Sequence, residues 1–215
     1  MQNTLRITEI FYSLQGETRT VGLPTVFIRL TGCPLRCQYC DSAYAFSGGE
    51  LFSIEAILAQ VADYRPRYVC VTGGEPLAQP HALTLFKALC DAGYRVSTET
   101  SGALDISGID RRVSIVLDLK TPGSLESQRN RYENIDLLKG DDQIKFVLCN
   151  RADYDWAVTK LLQYKLERRV SDVLFSPSQG QLSPRDLADW IVADNLPVRL
   201  QLQLHKLLWD DQPGY

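Results

Sequence analysis

The sequence predicts an α/β fold, specifically an open, incomplete TIM-like βα barrel of about six to seven parallel strands. Three observations carry that expectation. Short apolar runs alternate with stretches of helical spacing along the chain, the pattern of parallel strands with helices outside. The chain has 215 residues, whereas a closed eight-fold barrel typically takes about 250. Polar residues recur just after the predicted strands, where folds of this kind hold their sites. A single domain over residues 1–215 is expected.

Residues 5–13 alternate loosely and read as an extended lead-in. Residues 14–18, Leu14-Gln15-Gly16-Glu17-Thr18, read as a polar loop. The apolar run 25–31 is the first clear strand, followed by a cysteine-bearing loop and a turn at Ser47-Gly48-Gly49. Helix 53–64 places Ile54, Ile57, Leu58 and Val61 on one face, with Ser53 as N-cap. Strand 67–72, helix 80–92 stopping before Gly93, strand 94–99 and strand 113–119 follow. Residues 121–131, polar and bearing Gly and Pro, are expected to form a mobile loop over the site. Next come a short helix near 132–138, strand 143–148, helix 152–165 and strand 171–175. Helix 184–194 opens on Ser183-Pro184, a favourable start. Residues 197–204 alternate strictly and read as a last strand that ends at His205-Lys206.

Composition narrows the function. Hydrophobic residues make up 45% of the chain, enough for a normal core. A net charge of −3 argues against a broad phosphate-binding surface, so nucleic acid is not the expected partner. No apolar run approaches the roughly 20 residues that span a membrane, and residues 1–6 lack the pattern of a signal peptide. Cys70, Cys90 and Cys149 fall in apolar surroundings and read as buried core residues, not disulfides. The expected location is the reducing cytoplasm.

The remaining cysteines carry the chemistry. Cys33-Pro34-Leu35-Arg36-Cys37-Gln38-Tyr39-Cys40 puts three thiols on one short loop. Three soft ligands suit an iron–sulfur cluster or zinc. A structural zinc site takes a fourth close ligand, and the nearest histidine, His81, is far along the chain. A cluster held by three cysteines leaves one iron open to a small molecule. Arg29, between Ile28 and Leu30, is a charge inside an apolar strand. It requires an anion, either an internal partner or a substrate carboxylate.

The cysteine loop follows one strand, and a second motif, Thr72-Gly73-Gly74-Glu75-Pro76, follows another. In that order the two resemble the radical S-adenosylmethionine (SAM) superfamily. The resemblance implies that Cys33, Cys37 and Cys40 hold a 4Fe-4S cluster whose open iron binds SAM. It implies SAM contacts from Gly74 and Glu75 to the amino group, and from Glu99, Ser101 and Lys120 to ribose or carboxylate. Gln179 falls where an adenine contact is expected.

Further stretches narrow the resemblance. Leu14-Gln15-Gly16-Glu17, Phe27-Ile28-Arg29-Leu30, Cys40-Asp41-Ser42 and Gln203-Leu204-His205-Lys206 together are similar to the 7-carboxy-7-deazaguanine synthase family, from residue 7 to residue 209. That family converts 6-carboxy-5,6,7,8-tetrahydropterin to 7-carboxy-7-deazaguanine and ammonia, on the way to queuosine and other 7-deazapurines. The implied mechanism is a radical ring contraction that regenerates SAM. Also implied are Mg2+, a homodimer, and an electron donor such as flavodoxin or ferredoxin. Gln15, Gly16, Glu17, Arg29, Gln203, His205 and Lys206 become the expected substrate pocket, Gln15 and Glu17 serving as acceptors. Ser42 stands where the family usually has a Thr that ligates Mg2+; the hydroxyl is kept and a methyl is lost. No general base stands out, with Glu17 and His205 as candidates. A glycyl-radical-activating enzyme with a protein partner would share the cysteine spacing but has no need of Gln15, Glu17, Arg29 and His205. A non-enzymatic iron–sulfur or zinc scaffold leaves the Gly-Gly-Glu-Pro loop unexplained.

Overall fold

The computed structural model describes residues 3–210. One nine-stranded sheet runs through them. β1 (Thr4–Leu14) pairs antiparallel with β2 (Pro24–Leu30) and, at its other edge, with β3 (Glu50–Ser53). From β2 the sheet continues in parallel through β4 (Tyr68–Gly73), β5 (Arg95–Thr100), β6 (Ser114–Asp118), β7 (Gln143–Leu148), β8 (Asp172–Pro177) and β9 (Arg199–Leu200). β2 and β4 to β9 thus make seven parallel strands. β3 and β9 end the strand order and do not pair with each other, so the barrel is open. No helix among the described residues is long and apolar enough to cross a membrane.

The helices form where the periodicity predicts them. α1 (Ile54–Asp63) is capped by Ser53, whose hydroxyl accepts from the Ala56 N–H. α2 (Ala82–Asp91), α3 (Arg151–Tyr164) and α4 (Pro184–Ala193) follow β4, β7 and β8. Leu85, Phe86 and Leu89 of α2 and Tyr154, Ala157 and Leu161 of α3 are buried in the common core. Each large side chain so placed contributes roughly 1.5–3 kcal/mol. Cys70, Cys90 and Cys149 are free and buried, as their surroundings predict.

Two elements differ from expectation. The alternating run 197–204 is not one strand. β9 has only two residues, and Gln201 N–H still bonds Phe175 O on β8 at 2.9 Å. β8 then ends at Pro177, which has no N–H to extend a ladder. The chain turns instead into α5 (Leu204–Trp209), which carries His205 and Lys206 in its first turn. Residues 211–215 of the C-terminal tail lie outside the described residues.

The segment 121–131 is a pinned bracket, not a mobile loop. It forms two 3-10 turns, Pro122–Ser124 and Ser127–Arg129, with Thr121 and Ser124 fully buried. Asp153, at the start of α3, holds it. Its carboxylate accepts from Gly123 N at 2.8 Å, Thr121 Oγ1 at 3.1 Å and Cys149 N at 2.9 Å. Removing the carboxylate would orphan the two backbone N–H groups, while the Thr121 hydroxyl would keep Val147 O as acceptor at 2.9 Å. Asp153→Ala is therefore expected to destabilise the protein by about 3 kcal/mol and to raise hydrogen exchange at residues 121–125. Unchanged exchange there would show that the segment is held by something else.

Candidate active site

The C-terminal ends of the parallel strands surround a cavity of 770 Å³. Its walls come from both ends of the chain. The loop after β1 supplies Gln15, Gly16 and Glu17, and the start of α5 supplies Gln203, His205 and Lys206. Gly16 is where the two meet: its carbonyl accepts the Leu204 N–H at 2.9 Å, and a Cβ there would stand 2.3 Å from His205 Nδ1. A side chain at this position would displace the His205 imidazole and press on the start of α5.

The cysteine loop forms another wall. Cys33, Cys37 and Cys40 are free, half-buried and all face the cavity. Leu35 N–H donates to Cys33 Sγ at 3.4 Å, and Arg36 ties the loop to itself through the carbonyls of Cys33 and Leu35. Gln38 anchors it to Ser124 O, Gly123 O and Gln181 Oε1. Burial raises all three thiols, Cys37 to about 11, with Lys120 pulling the other way. Among the described residues, no three His, Cys, Asp or Glu side chains draw together around a single metal ion. Three thiols on one loop facing a cavity suit a cluster, in which each thiolate holds its own iron.

The Gly-Gly-Glu-Pro loop packs directly beneath. A Cβ on Gly74 would lie 2.2 Å from Gly32 O and 2.9 Å from Cys33 Cβ. Glycine is thus required for the two motifs to touch. The carboxylate of Glu75 is turned into the protein. Its side chain is fully buried and does not line the cavity. One oxygen accepts from Leu77 N at 3.1 Å and Thr100 Oγ1 at 2.8 Å. The other accepts from Ser101 N at 2.8 Å and Ser101 Oγ at 2.6 Å. Its carbonyl accepts from Ala78 N. The carboxylate braces β5 against the motif, and Gly73, Gly74 and Ser101 are what the cavity meets.

Two buried ion pairs divide the floor. Lys120 Nζ meets Asp118 Oδ2 at 2.8 Å and lies 5.8 Å from the Tyr39 ring centre, beside the cysteine loop. Burial alone would lower the Lys120 ammonium, but Asp118 and Tyr39 raise it well above its ordinary value. On the other side, Lys145 Nζ pairs with Glu17 Oε2, and Gln203 Nε2 donates to Glu17 Oε1 at 2.9 Å. Glu99 lies between, its carboxyl raised first by burial and held back by Lys145. Burial lowers the imidazole of His205, which favours its neutral form. Gln179 lines the cavity from an exposed position.

Arg29 has the internal partner that was one of its two readings. Its Nε donates to Glu9 Oε1 at 2.6 Å, across the β1–β2 ladder, just past a register shift between Ile7 and Glu9. The guanidinium carbon stands 5.8 and 5.7 Å from the ring centres of Phe11 and Tyr44. Nη1 reaches Ser42 Oγ at 3.4 Å, and the side chain still faces the cavity. Ser42 Oγ donates to Asp41 Oδ1 at 2.9 Å. Asp41 is held near pKa 2: burial would raise it, but Lys206 and Gln203 outweigh that. Gln15 also has an internal contact. Its Oε1 already accepts the Glu17 N–H at 3.1 Å, and its buried Nε2 has no partner. Gln15 still lines the cavity, with its oxygen engaged and its amide nitrogen buried.

A radical SAM superfamily model matches residues 27–172. A relative from Koribacter versatilis, named 7-carboxy-7-deazaguanine synthase, is 43% identical over 95% of this chain and 97% of its own length. A relative of the same name from Chlorobaculum tepidum is 41% identical over 96% of this chain and 94% of its own. The chain belongs to the 7-carboxy-7-deazaguanine synthase family of the radical SAM superfamily. Among solved structures, QueE from Escherichia coli aligns with a TM-score of 0.72 at 24% identity, over 94% of this chain and 95% of that one. Streptococcus suis SuiB bound to its precursor peptide SuiA aligns at 0.60 and 16%, over 80% and 46%. Those two likenesses bear on the fold alone.

The radical SAM motifs lie on loops, whereas several charged groups of the site stand on strands or beside the motifs. Lys145, Asp118, Glu9 and Asp41 were therefore missed. Lys145 had a signal: it interrupts Ile144 and Phe146 as Arg29 interrupts Ile28 and Leu30. Asp118 and Glu9 gave none, since carboxylates at strand ends and edges are common. For Glu75, Glu75→Gln is expected to lower stability by roughly 2 kcal/mol, because an amide nitrogen would face donors. Chemical denaturation of the ligand-free protein measures it, and undiminished stability would return the carboxylate to the cavity.

Proposed function

We propose that the chain converts 6-carboxy-5,6,7,8-tetrahydropterin to 7-carboxy-7-deazaguanine and ammonia, a ring contraction in 7-deazapurine and queuosine biosynthesis. One observation carries this reading: a single cavity holds the three-cysteine wall and a polar array of buried Gln15 and Glu17 with half-buried Arg29 and His205. The near full-length identity to synthases of that name supports it. A bound 4Fe-4S cluster with SAM supplies one-electron, radical-forming chemistry at this place. Cys33, Cys37 and Cys40 would hold the cluster, and Gly74, Glu99, Ser101, Lys120 and Gln179 would position SAM.

The protein's own part is binding, orientation and exclusion of water. Glu17 accepts from the N–H groups of the aminopyrimidine edge, and Gln15 Nε2 donates to its carbonyl. The guanidinium of Arg29, steadied by Glu9, attracts the carboxylate. His205, Gln203 and Lys206 close the pocket from α5. Mg2+ favours oxygen ligands and retained waters, and Ser42 Oγ is the protein oxygen proposed for it, beside the substrate carboxylate. The reading includes a homodimer, a flavodoxin or ferredoxin as electron donor, and a reducing cytoplasm that protects the thiols. A protein-activating enzyme has no need of this small polar array, which sets that alternative aside.

The test is anaerobic reconstitution with iron and sulfide, then reaction with SAM, dithionite and the carboxy-tetrahydropterin. Formation of the deazaguanine, detected by mass spectrometry, is expected, together with its loss in Cys37→Ala. An intact cluster that yields no product would defeat the proposal. In the same assay Ser42→Ala is expected to weaken the dependence of rate on Mg2+ concentration; an unaltered dependence would place the metal elsewhere.

A further inference from the structure

Lys145 is a charged group on the cavity floor to which no role has been given. It projects from the middle of β7, and its side chain is about one-tenth exposed. Its ammonium pairs with Glu17 Oε2 and is drawn further by Asp118 and Glu99. Glu17 is restrained at three points. Lys145 holds Oε2, Gln203 holds Oε1 from α5, and Gln15 Oε1 holds its backbone N–H. An ionised carboxylate has about four lone-pair positions and donates nothing. With one position on each oxygen filled from the protein, one on each remains for a ligand, in a plane set by the two partners.

We propose that Lys145 is a specificity-determining positioning residue: it keeps Glu17 a fixed, charged, acceptor-only group that selects a ligand edge presenting two N–H donors. This rests on the carboxy-tetrahydropterin reading above and assigns the recognition of the 2-amino end of that substrate. A buried acceptor left without a donor is penalised, so a site of this kind rejects analogues that lack the amino group. The other charges around Glu17 do not supply the same restraint. Glu99 and Glu17 repel each other, and Arg29 is engaged by Glu9. Asp41 shares Gln203 with it, while His205 is kept towards its neutral form by burial.

The experiment is anaerobic equilibrium binding to the reconstituted holoenzyme with SAM and no reductant. Three ligands are compared: the carboxy-tetrahydropterin, its 2-desamino analogue, and the tetrahydropterin lacking the 6-carboxyl. The wild type is expected to prefer the 2-amino ligand by roughly 10- to 100-fold. Lys145→Met and, should that variant fold poorly, Lys145→Gln are expected to erase the amino preference while keeping the carboxylate preference and SAM affinity. Lys145→Arg, which keeps the charge and donors, is expected to keep the amino preference. Three results would overturn the proposal. Equal weakening of all three ligands, or loss of SAM binding, makes Lys145 a structural support. Selective loss of the carboxylate preference makes it the carboxylate anchor. An intact amino preference makes it irrelevant to recognition. Should the wild type bind none of the three, the parent reading fails as well, a result distinct from the others.

Discussion

The structure turns on a buried ion pair, Glu17 with Lys145. Neither charge is stable alone in such a place, and removing one partner of a buried pair costs roughly 3–5 kcal/mol. The pair therefore fixes where the loop after β1 must lie relative to β7, five strands away in the sheet order. Gln203 adds the start of α5 to the same carboxylate. An open barrel has no ladder joining its edges. Here polar contacts at its mouth draw the two ends of the chain together around one cavity. The close approach at Gly16 is the steric side of the same closure.

The opposite wall is built on backbone. Gly73 lies against the Leu30 backbone and Gly74 against Gly32 and Cys33, so the cysteine loop rests on a surface without side chains. Glu75 and Asp153 do similar work at its two flanks. Each is a buried carboxylate that gathers several N–H and O–H donors from separate segments. The cysteine loop is thereby held from below and from the side before any cluster is considered. That rigidity suits a site whose reagent must be placed within bonding distance of its target.

Much of this was legible in the chain. Period-2 and period-3.6 patterning located the helices and parallel strands, since both signals arise from burying one face against the sheet. The cysteine spacing and the Gly-Gly-Glu-Pro motif located one wall. What was illegible depended on partners distant in sequence. The alternation at residues 197–204 carried no sign that β8 would run out at Pro177. Nothing local to Glu75 reveals Thr100 and Ser101 beneath it. Nor does the sequence show that the Gln15 oxygen takes the Glu17 N–H. Residues 121–131 look loose because their anchor, Asp153, comes some thirty residues later.

The central claim is that one cavity places the aminopyrimidine edge on Glu17 and Gln15 while SAM lies against the cysteine wall. A crystal structure of the reconstituted protein with SAM and the carboxy-tetrahydropterin tests it most directly. The account predicts the 2-amino group and its ring N–H within hydrogen-bond distance of the Glu17 carboxylate, the carbonyl at Gln15 Nε2, and the carboxylate towards Arg29 and Ser42. A substrate bound with its pyrimidine edge away from Glu17, with Lys145 and Glu17 still paired to each other, would contradict it.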